Sequence, residues 1–144
     1  MTIAPELEGS VQLVKDLRYN GIIAAAGHTD GIYSEIIGAV DAGITHATHS
    51  FCYMSHFRRD SLKRVAGAAE TLLYDDRVTG ELIGGGWHLG AELMKLMVKV
   101  KGLGRVCFAT DAMPAAGLPD GRHFIGSVEA ILGNGIACMP DNSA

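Results

Sequence analysis

Four apolar runs in this chain each end in a residue able to bind a metal or move a proton. They are Gly21-Ile22-Ile23-Ala24-Ala25-Ala26-Gly27-His28, Gly43-Ile44-Thr45-His46-Ala47-Thr48-His49, Glu81-Leu82-Ile83-Gly84-Gly85-Gly86-Trp87-His88 and Arg105-Val106-Cys107-Phe108-Ala109-Thr110-Asp111. Strands buried on both faces read as near-continuous apolar runs, and a parallel β/α barrel presents its chemistry at their carboxyl ends. One histidine after an apolar run is ordinary, a half-buried imidazole bonded to a carbonyl. Four such endings in succession, with helix-like stretches between them, suggest that His28, His49, His88 and Asp111 converge on one site.

The intervening stretches carry helical spacing. Glu8 to Asn20 has Val11, Val14 and Leu17 on one face, widened by Leu13 and stopped by Asn20-Gly21. Tyr33 to Ala42 turns Ile36, Ile37 and Val40 inward and ends at Gly43. A polar loop around Met54 to Asp60 leads to a helix expected near Ser61 to Glu70. Ala91 to Lys101 carries Leu93, Leu96, Met97 and Val100 on one stripe, with Gly102 beyond its end. Strands are expected at Met1 to Pro5, Ile22 to Gly27, Ile44 to His49, Val78 to Ile83 and Val106 to Thr110. After them, Ala115 to Gly126 is rich in Gly and Pro, and Val128 to Met139 reads as short antiparallel strands.

Strand–helix alternation with short connections implies an α/β fold with a parallel sheet and right-handed crossovers. A doubly wound sheet fits the strand count, but it binds mainly at a switch point rather than at four successive strand ends. A complete (β/α)8 barrel takes about 250 residues, against 144 here. The expected fold is therefore a partial (β/α)8 barrel of about four βα units over residues 1–126. A short β-rich return segment over 127–144 follows it.

The chain carries 12 Lys and Arg against 16 Asp and Glu, a net charge of −4, with no dense basic block. That argues against nucleic acid or an anionic membrane as the main partner. Cys52, Cys107 and Cys138 lie far apart without a C-x-x-C pair, which favours reduced thiols and a cytoplasmic setting. No leader pattern opens the chain, and no apolar run has spanning length.

The site candidates carry distinct chemistry. His28 stands where a strand turns toward a helix, and neutral imidazole is a good ligand for zinc or a similar divalent metal. His46 and His49 are three apart, so on a strand they face opposite ways. His49, nearer the strand end, is the better ligand, and His46 is a packing or hydrogen-bonding residue. Asp111 can ligate a metal, take a proton from water and pass it to a leaving group, or simply cap a helix. His88 follows three glycines, which allow close backbone approach to a ligand or form a flexible turn. Arg58 and Arg59 form either a phosphate clamp or a solvated basic pair. His56 and His123 stand alone in loops and receive no role.

Taken together, the chain resembles the N-acetylglucosamine-6-phosphate deacetylases of the metal-dependent amidohydrolase superfamily. The resemblance rests on Thr2-Ile3-Ala4-Pro5-Glu6, Gly27-His28-Thr29-Asp30, Ala42-Gly43-Ile44-Thr45-His46-Ala47-Thr48-His49 and Thr110-Asp111-Ala112-Met113, with Ala115-Ala116-Gly117-Leu118-Pro119-Asp120-Gly121 after it. These stretches follow the family's order across essentially the whole chain. The resemblance implies a (β/α)8 barrel with a small β-sandwich, and hydrolysis of an acetamide to glucosamine 6-phosphate and acetate. It implies a bound Zn²⁺ or Fe²⁺ with His28 and His49 as ligands, and Asp111 as general base and acid. His88 would contact the substrate, Arg59 would bind its phosphate with the assignment open to a slip to Arg58, and the natural assembly would be a homodimer.

Two local departures stand out. Cys52 and Tyr53 occupy places where the family usually has Asn-Ala beside the phosphate, and Gly85-Gly86 stands where it usually has Asp-Gly. Cysteine supplies no amide donor and tyrosine is far bulkier than alanine, so a different N-acyl amino sugar is an alternative substrate. The family's His-x-His segment and its glutamate ligand correspond to sequence before Met1. Glu6 and Glu8 are available carboxylates, but their spacing singles out neither. A non-catalytic unit, with two open sheet edges, is the third reading.

Overall fold

The computed structural model describes residues 1–140 and divides the chain into two compact units, one over Met1–Ala109 and a second beginning at Thr110. The residues expected to close the return segment, 141–144, lie outside the described part. In the first unit the order is β1 (Thr2–Ile3), α1 (Ser10–Tyr19), β2 (Ala25–Ala26), α2 (Tyr33–Ala42) and β3 (His46–Ala47). A hairpin of β4 (Arg58–Asp60) and β5 (Lys63–Val65) follows, then α3 (Ala68–Tyr74), β6 (Thr79–Ile83), α4 (Ala91–Lys101) and β7 (Val106–Ala109).

β1, β2, β3, β6 and β7 form one parallel sheet, with neighbours in chain order throughout. A doubly wound sheet reverses strand order at its switch point; here the order advances in one direction, as in a barrel wall. All four strand-to-helix connections therefore leave from the same edge of the sheet. The second unit holds an antiparallel sheet of β8 (Gly121–Ile125), β9 (Val128–Gly133) and β10 (Ile136–Cys138). The antiparallel strands expected after Val128 are present, and β8 adds one within the Gly/Pro-rich stretch.

Helices and sheet enclose Val14, Leu17, Ile36, Ala39, Val40, Ile44, Leu72 and Val78, and a smaller cluster joins Leu82, Leu89 and Met97. The helix faces differ in detail from the expected stripes. In α1 the buried positions are Ser10, Val14 and Leu17, while Val11 and Leu13 are exposed. Ser10 is buried because its hydroxyl donates to the Pro5 carbonyl at 2.6 Å, satisfying a polar group that spacing alone counts as surface. In α4 only Met97 of the expected stripe is fully buried, and Leu96 and Val100 are exposed. Met97 lies over Gly80, where a β-carbon would sit 1.8 Å from its methyl group. Glycine on β6 thus sets how closely α4 approaches the sheet.

The helix expected over Ser61 to Glu70 is corrected to a hairpin followed by a shorter helix. β4 and β5 pair antiparallel, Arg58 opposite Val65, with Ser61 at φ 53° in the turn. α3 starts only after Gly67, whose missing side chain lets the Ser55 and His56 carbonyls pass within 2.5 and 2.6 Å of the β-carbon position. Glu70 accepts the Gly67 N–H at 2.9 Å, and Glu35 likewise accepts the Ile32 N–H at 2.8 Å at the start of α2. Each carboxylate satisfies an orphan donor that no Ser or Thr cap serves.

A polar lock joins the far ends of α2, α3 and α4. Arg77 binds Asp75 through three side-chain hydrogen bonds and its backbone N–H, and reaches Asp41 at 2.7 Å. Beside it, Lys101 is 2% exposed and donates to the carbonyls of Asp75 and Val78, each at 2.6 Å. No helix among the described residues is long and apolar enough to cross a membrane.

Candidate metal and substrate site

His28 lies two residues beyond β2 and His49 two beyond β3, at the carboxyl edge of neighbouring parallel strands. Both backbones sit in the left-handed region, at φ 49° and 27°. Non-glycine residues in that region cost energy that surrounding contacts must offset. The surroundings here do so. Glu6 accepts from the Thr29 hydroxyl and, at 2.8 Å, from the Asp30 N–H, while the Thr29 hydroxyl accepts the Gly31 N–H at 3.1 Å. Arg58 holds the same loop from outside, donating to the Asp30 carbonyl at 2.6 Å and to its carboxylate at 3.2 and 3.3 Å.

The turn after β3 folds back along this loop. Thr29 N–H donates to the Tyr53 carbonyl at 3.0 Å, and Ser55 N–H donates to the Thr29 carbonyl at 2.9 Å, a parallel bridge that pairs Thr29 with Met54. Ser55 then ties the turn to α3, donating to the Gly31 carbonyl and accepting from Ala68 N–H.

These constraints bring the two imidazoles together. Their Nε2 atoms are 2.9 Å apart, with the rings edge-to-face and centroids at 4.7 Å. His49 is buried, and its Nδ1 has no hydrogen-bond partner; the neighbouring Ser50 hydroxyl is also buried without one. Two imidazole nitrogens this close are of the donor type a borderline divalent cation takes, so His28 and His49 fit two positions of such a centre. No group of three or more His, Cys, Asp or Glu is gathered for a metal among the described residues. A cleft of about 440 Å³ opens beside the pair, lined by Glu6, His28, Asp30, Tyr53 and Ser55 among others.

Tyr53 stacks on His28, with ring centroids 5.1 Å apart and planes inclined by 12°. Cys52 is half-buried in the same turn. Arg59 points away from its neighbour, as successive strand residues do, and donates to the Ser61 carbonyl at 2.8 Å. It is Arg58 that reaches the cleft wall. His88 is exposed in the glycine-rich loop after β6. Asp111 is two residues beyond β7, at φ 48°, in the second unit. His46 bonds Thr79 at 2.8 Å and Glu81 at 3.2 Å. Spacing did not single out Glu6; its role appears only when the Gly27-to-Gly31 loop closes over β1.

This arrangement defines a segment of a parallel β/α barrel with a close histidine pair at its strand ends. No family model matches the chain. It is 33% identical to N-acetylglucosamine-6-phosphate deacetylase of Bacillus subtilis over 99% of its own length and 35% of the relative's. It is 30% identical to N-acetylgalactosamine-6-phosphate deacetylase of Escherichia coli O157:H7 over 94% of this chain and 35% of that one. The crystal structure of the Mycobacterium smegmatis N-acetyl-D-glucosamine-6-phosphate deacetylase superposes with a TM-score of 0.88, covering 96% of this chain and 36% of that one at 35% identity. A mutant of that enzyme, at 34% identity and TM-score 0.87 over 96% and 35% of the two chains, was solved in complex with N-acetyl-D-glucosamine-6-phosphate. The chain is thus homologous, over nearly its whole length, to N-acetylglucosamine-6-phosphate deacetylases, and it spans about a third of their length.

Proposed function

We propose that this chain supplies part of the active site of a metal-dependent deacetylase that hydrolyses the acetamide of N-acetylglucosamine 6-phosphate. The observation that carries the reading is the His28–His49 pair, Nε2 to Nε2 at 2.9 Å on adjacent strand ends, in a chain homologous to these enzymes. A divalent cation held by the two imidazoles, Zn²⁺ or Fe²⁺, supplies Lewis acidity at the cleft. Asp111 takes a proton from the attacking water and returns it to the departing amine. His88 donates to the substrate carbonyl or a sugar hydroxyl. Arg59, or with a one-residue slip Arg58, whose guanidinium bonds Asp30 at the cleft wall, meets the phosphate, and Cys52 and Tyr53 shape the turn beside it. The products are glucosamine 6-phosphate and acetate. The setting is cytoplasmic, without nucleic acid or membrane, and the assembly is a homodimer.

A second substrate, the galactosamine isomer, is favoured by one observation: a relative bearing that name is 30% identical. The test joins the whole chain to the parts of the Bacillus subtilis relative that flank the matched stretch, and measures acetate release from both 6-phosphates. Turnover of N-acetylglucosamine 6-phosphate supports the reading. A folded chimera that releases acetate from neither sugar, beside an active parent enzyme, rejects it.

A further inference from the structure

His28 is exposed, so contacts on its ring rather than burial set its orientation. A ligating histidine is ordinarily oriented through its second ring nitrogen, which donates to a carboxylate, carbonyl or water. Among the described residues, His28 hydrogen-bonds through its ring to His49. What lies against the ring is Tyr53, nearly parallel at 12° with centroids 5.1 Å apart. The contact is built by the backbone. The Thr29–Met54 bridge places residues 28 and 53 at neighbouring positions of two parallel segments, and both are held at left-handed φ, 49° and 48°.

We infer that Tyr53 is a positioning residue for His28: its stacked ring holds the imidazole plane so that Nε2 points toward His49 and a divalent cation shared between them. The inference rests on the metal reading above. Rotation of the imidazole about its side-chain bond would break the face-to-face contact, so the stack selects one ring orientation. A cation bound at Nε2 draws electron density from the imidazole, and a ring made more positive is attracted more strongly to an aromatic face. The stack therefore favours the loaded state over the free one. Tyr53 is 64% exposed, so its ring contributes little to the core, and loss of the stack is separable from loss of the fold.

The experiment uses the whole chain with Co²⁺ alone as probe, followed by visible absorption and calorimetry. Tyr53→Ala is expected to weaken Co²⁺ binding about tenfold or more, the size seen when a ligand's orienting partner is removed, with its melting temperature unchanged. Tyr53→Phe, which keeps the ring, is expected to bind as the wild type does. In the metal-free chain, the His28 ring signals in ¹H–¹⁵N spectra should move in Tyr53→Ala and stay in place in Tyr53→Phe. Unchanged Co²⁺ affinity in Tyr53→Ala overturns the inference and spares the metal reading. So does equal weakening in both variants, which would assign the effect to the hydroxyl. A wild-type chain that takes up no Co²⁺ overturns both.

Discussion

The Nε2 atoms of His28 and His49 lie 2.9 Å apart although 21 residues separate them in the chain. Each stands just past a two-residue strand, and the β2–β3 pairing puts Ala26 beside Ala47, so equal overhangs bring the two rings to the same height. His28→Ala and His49→Ala are each expected to abolish stoichiometric metal uptake, read by elemental analysis of protein dialysed against Zn²⁺. His46→Ala is expected to retain it, because that ring is engaged by Thr79 and Glu81. Metal retained by both of the first two variants would remove the pair from the site.

If Asp111 carries the proton, Asp111→Asn in the chimera with the Bacillus subtilis relative should lose most turnover while still binding metal. The loss expected for a general acid–base group is about 10²–10⁴-fold. Acetate release at the parental rate would assign the proton transfer elsewhere.

Burial pushes the Lys101 ammonium down from 10.5 to about 8, against the opposing pull of Asp75 and Asp76. Between those values the unfolded chain holds a proton that the folded chain has released, so stability rises with pH across that window. Below about 8 both states are protonated, and the penalty of the buried charge is present in full. Urea midpoints measured through the window should climb for the wild type and stay flatter for Lys101→Met. Parallel curves for the two proteins would show that Lys101 does not govern this range.

Asp75 is buried, and the hydrogen bonds from Arg77 hold its carboxyl below the usual carboxylate range. A depressed pKa contributes stability above the unfolded value that is lost as pH falls through the folded one. Arg77→Ala leaves that carboxylate without its main donors and should cost about 1–3 kcal/mol at neutral pH. The variant's acid-denaturation limb should also be shallower. A cost near zero in thermal or urea unfolding would mean that water replaces the guanidinium fully.

Gly67 and Gly38 make a matched pair. An alanine β-carbon at Gly67 would lie 2.5 Å from the Ser55 carbonyl oxygen, whereas at Gly38, inside α2, nothing stands within 4 Å. Gly67→Ala should therefore destabilise by about 1–3 kcal/mol and shift the turn that carries Tyr53. Gly38→Ala should stabilise by about 0.5–1 kcal/mol through helix propensity. Equal effects in differential scanning calorimetry would refute the steric account of Gly67.

Much of the architecture is legible in the sequence. Helices α2 and α4 begin and end where the apolar spacing and the flanking glycines place them, because periodicity and stop signals are local properties. The stretch from Ser61 to Val65 misled for an equally physical reason. Its charged residues are compatible with a solvated helix or a solvated hairpin, and the carbonyls packed against Gly67 decide between the two. α1 shows the same limit, since Ser10 is buried by a bond to Pro5 that no hydrophobic period encodes.

The sequence by itself determined the alternation of strands and helices and the histidines and acid at the strand ends, since these depend on residue type and spacing alone. Tertiary structure decided which of those residues meet. Parallel register set His28 against His49, the loop-to-turn bridge stacked Tyr53 on His28, and the connection from α3 to β6 closed over Lys101 through the Asp75 and Val78 carbonyls. Each of these contacts joins segments far apart in the chain. Their geometry follows from backbone pairing and excluded volume, which no local pattern records.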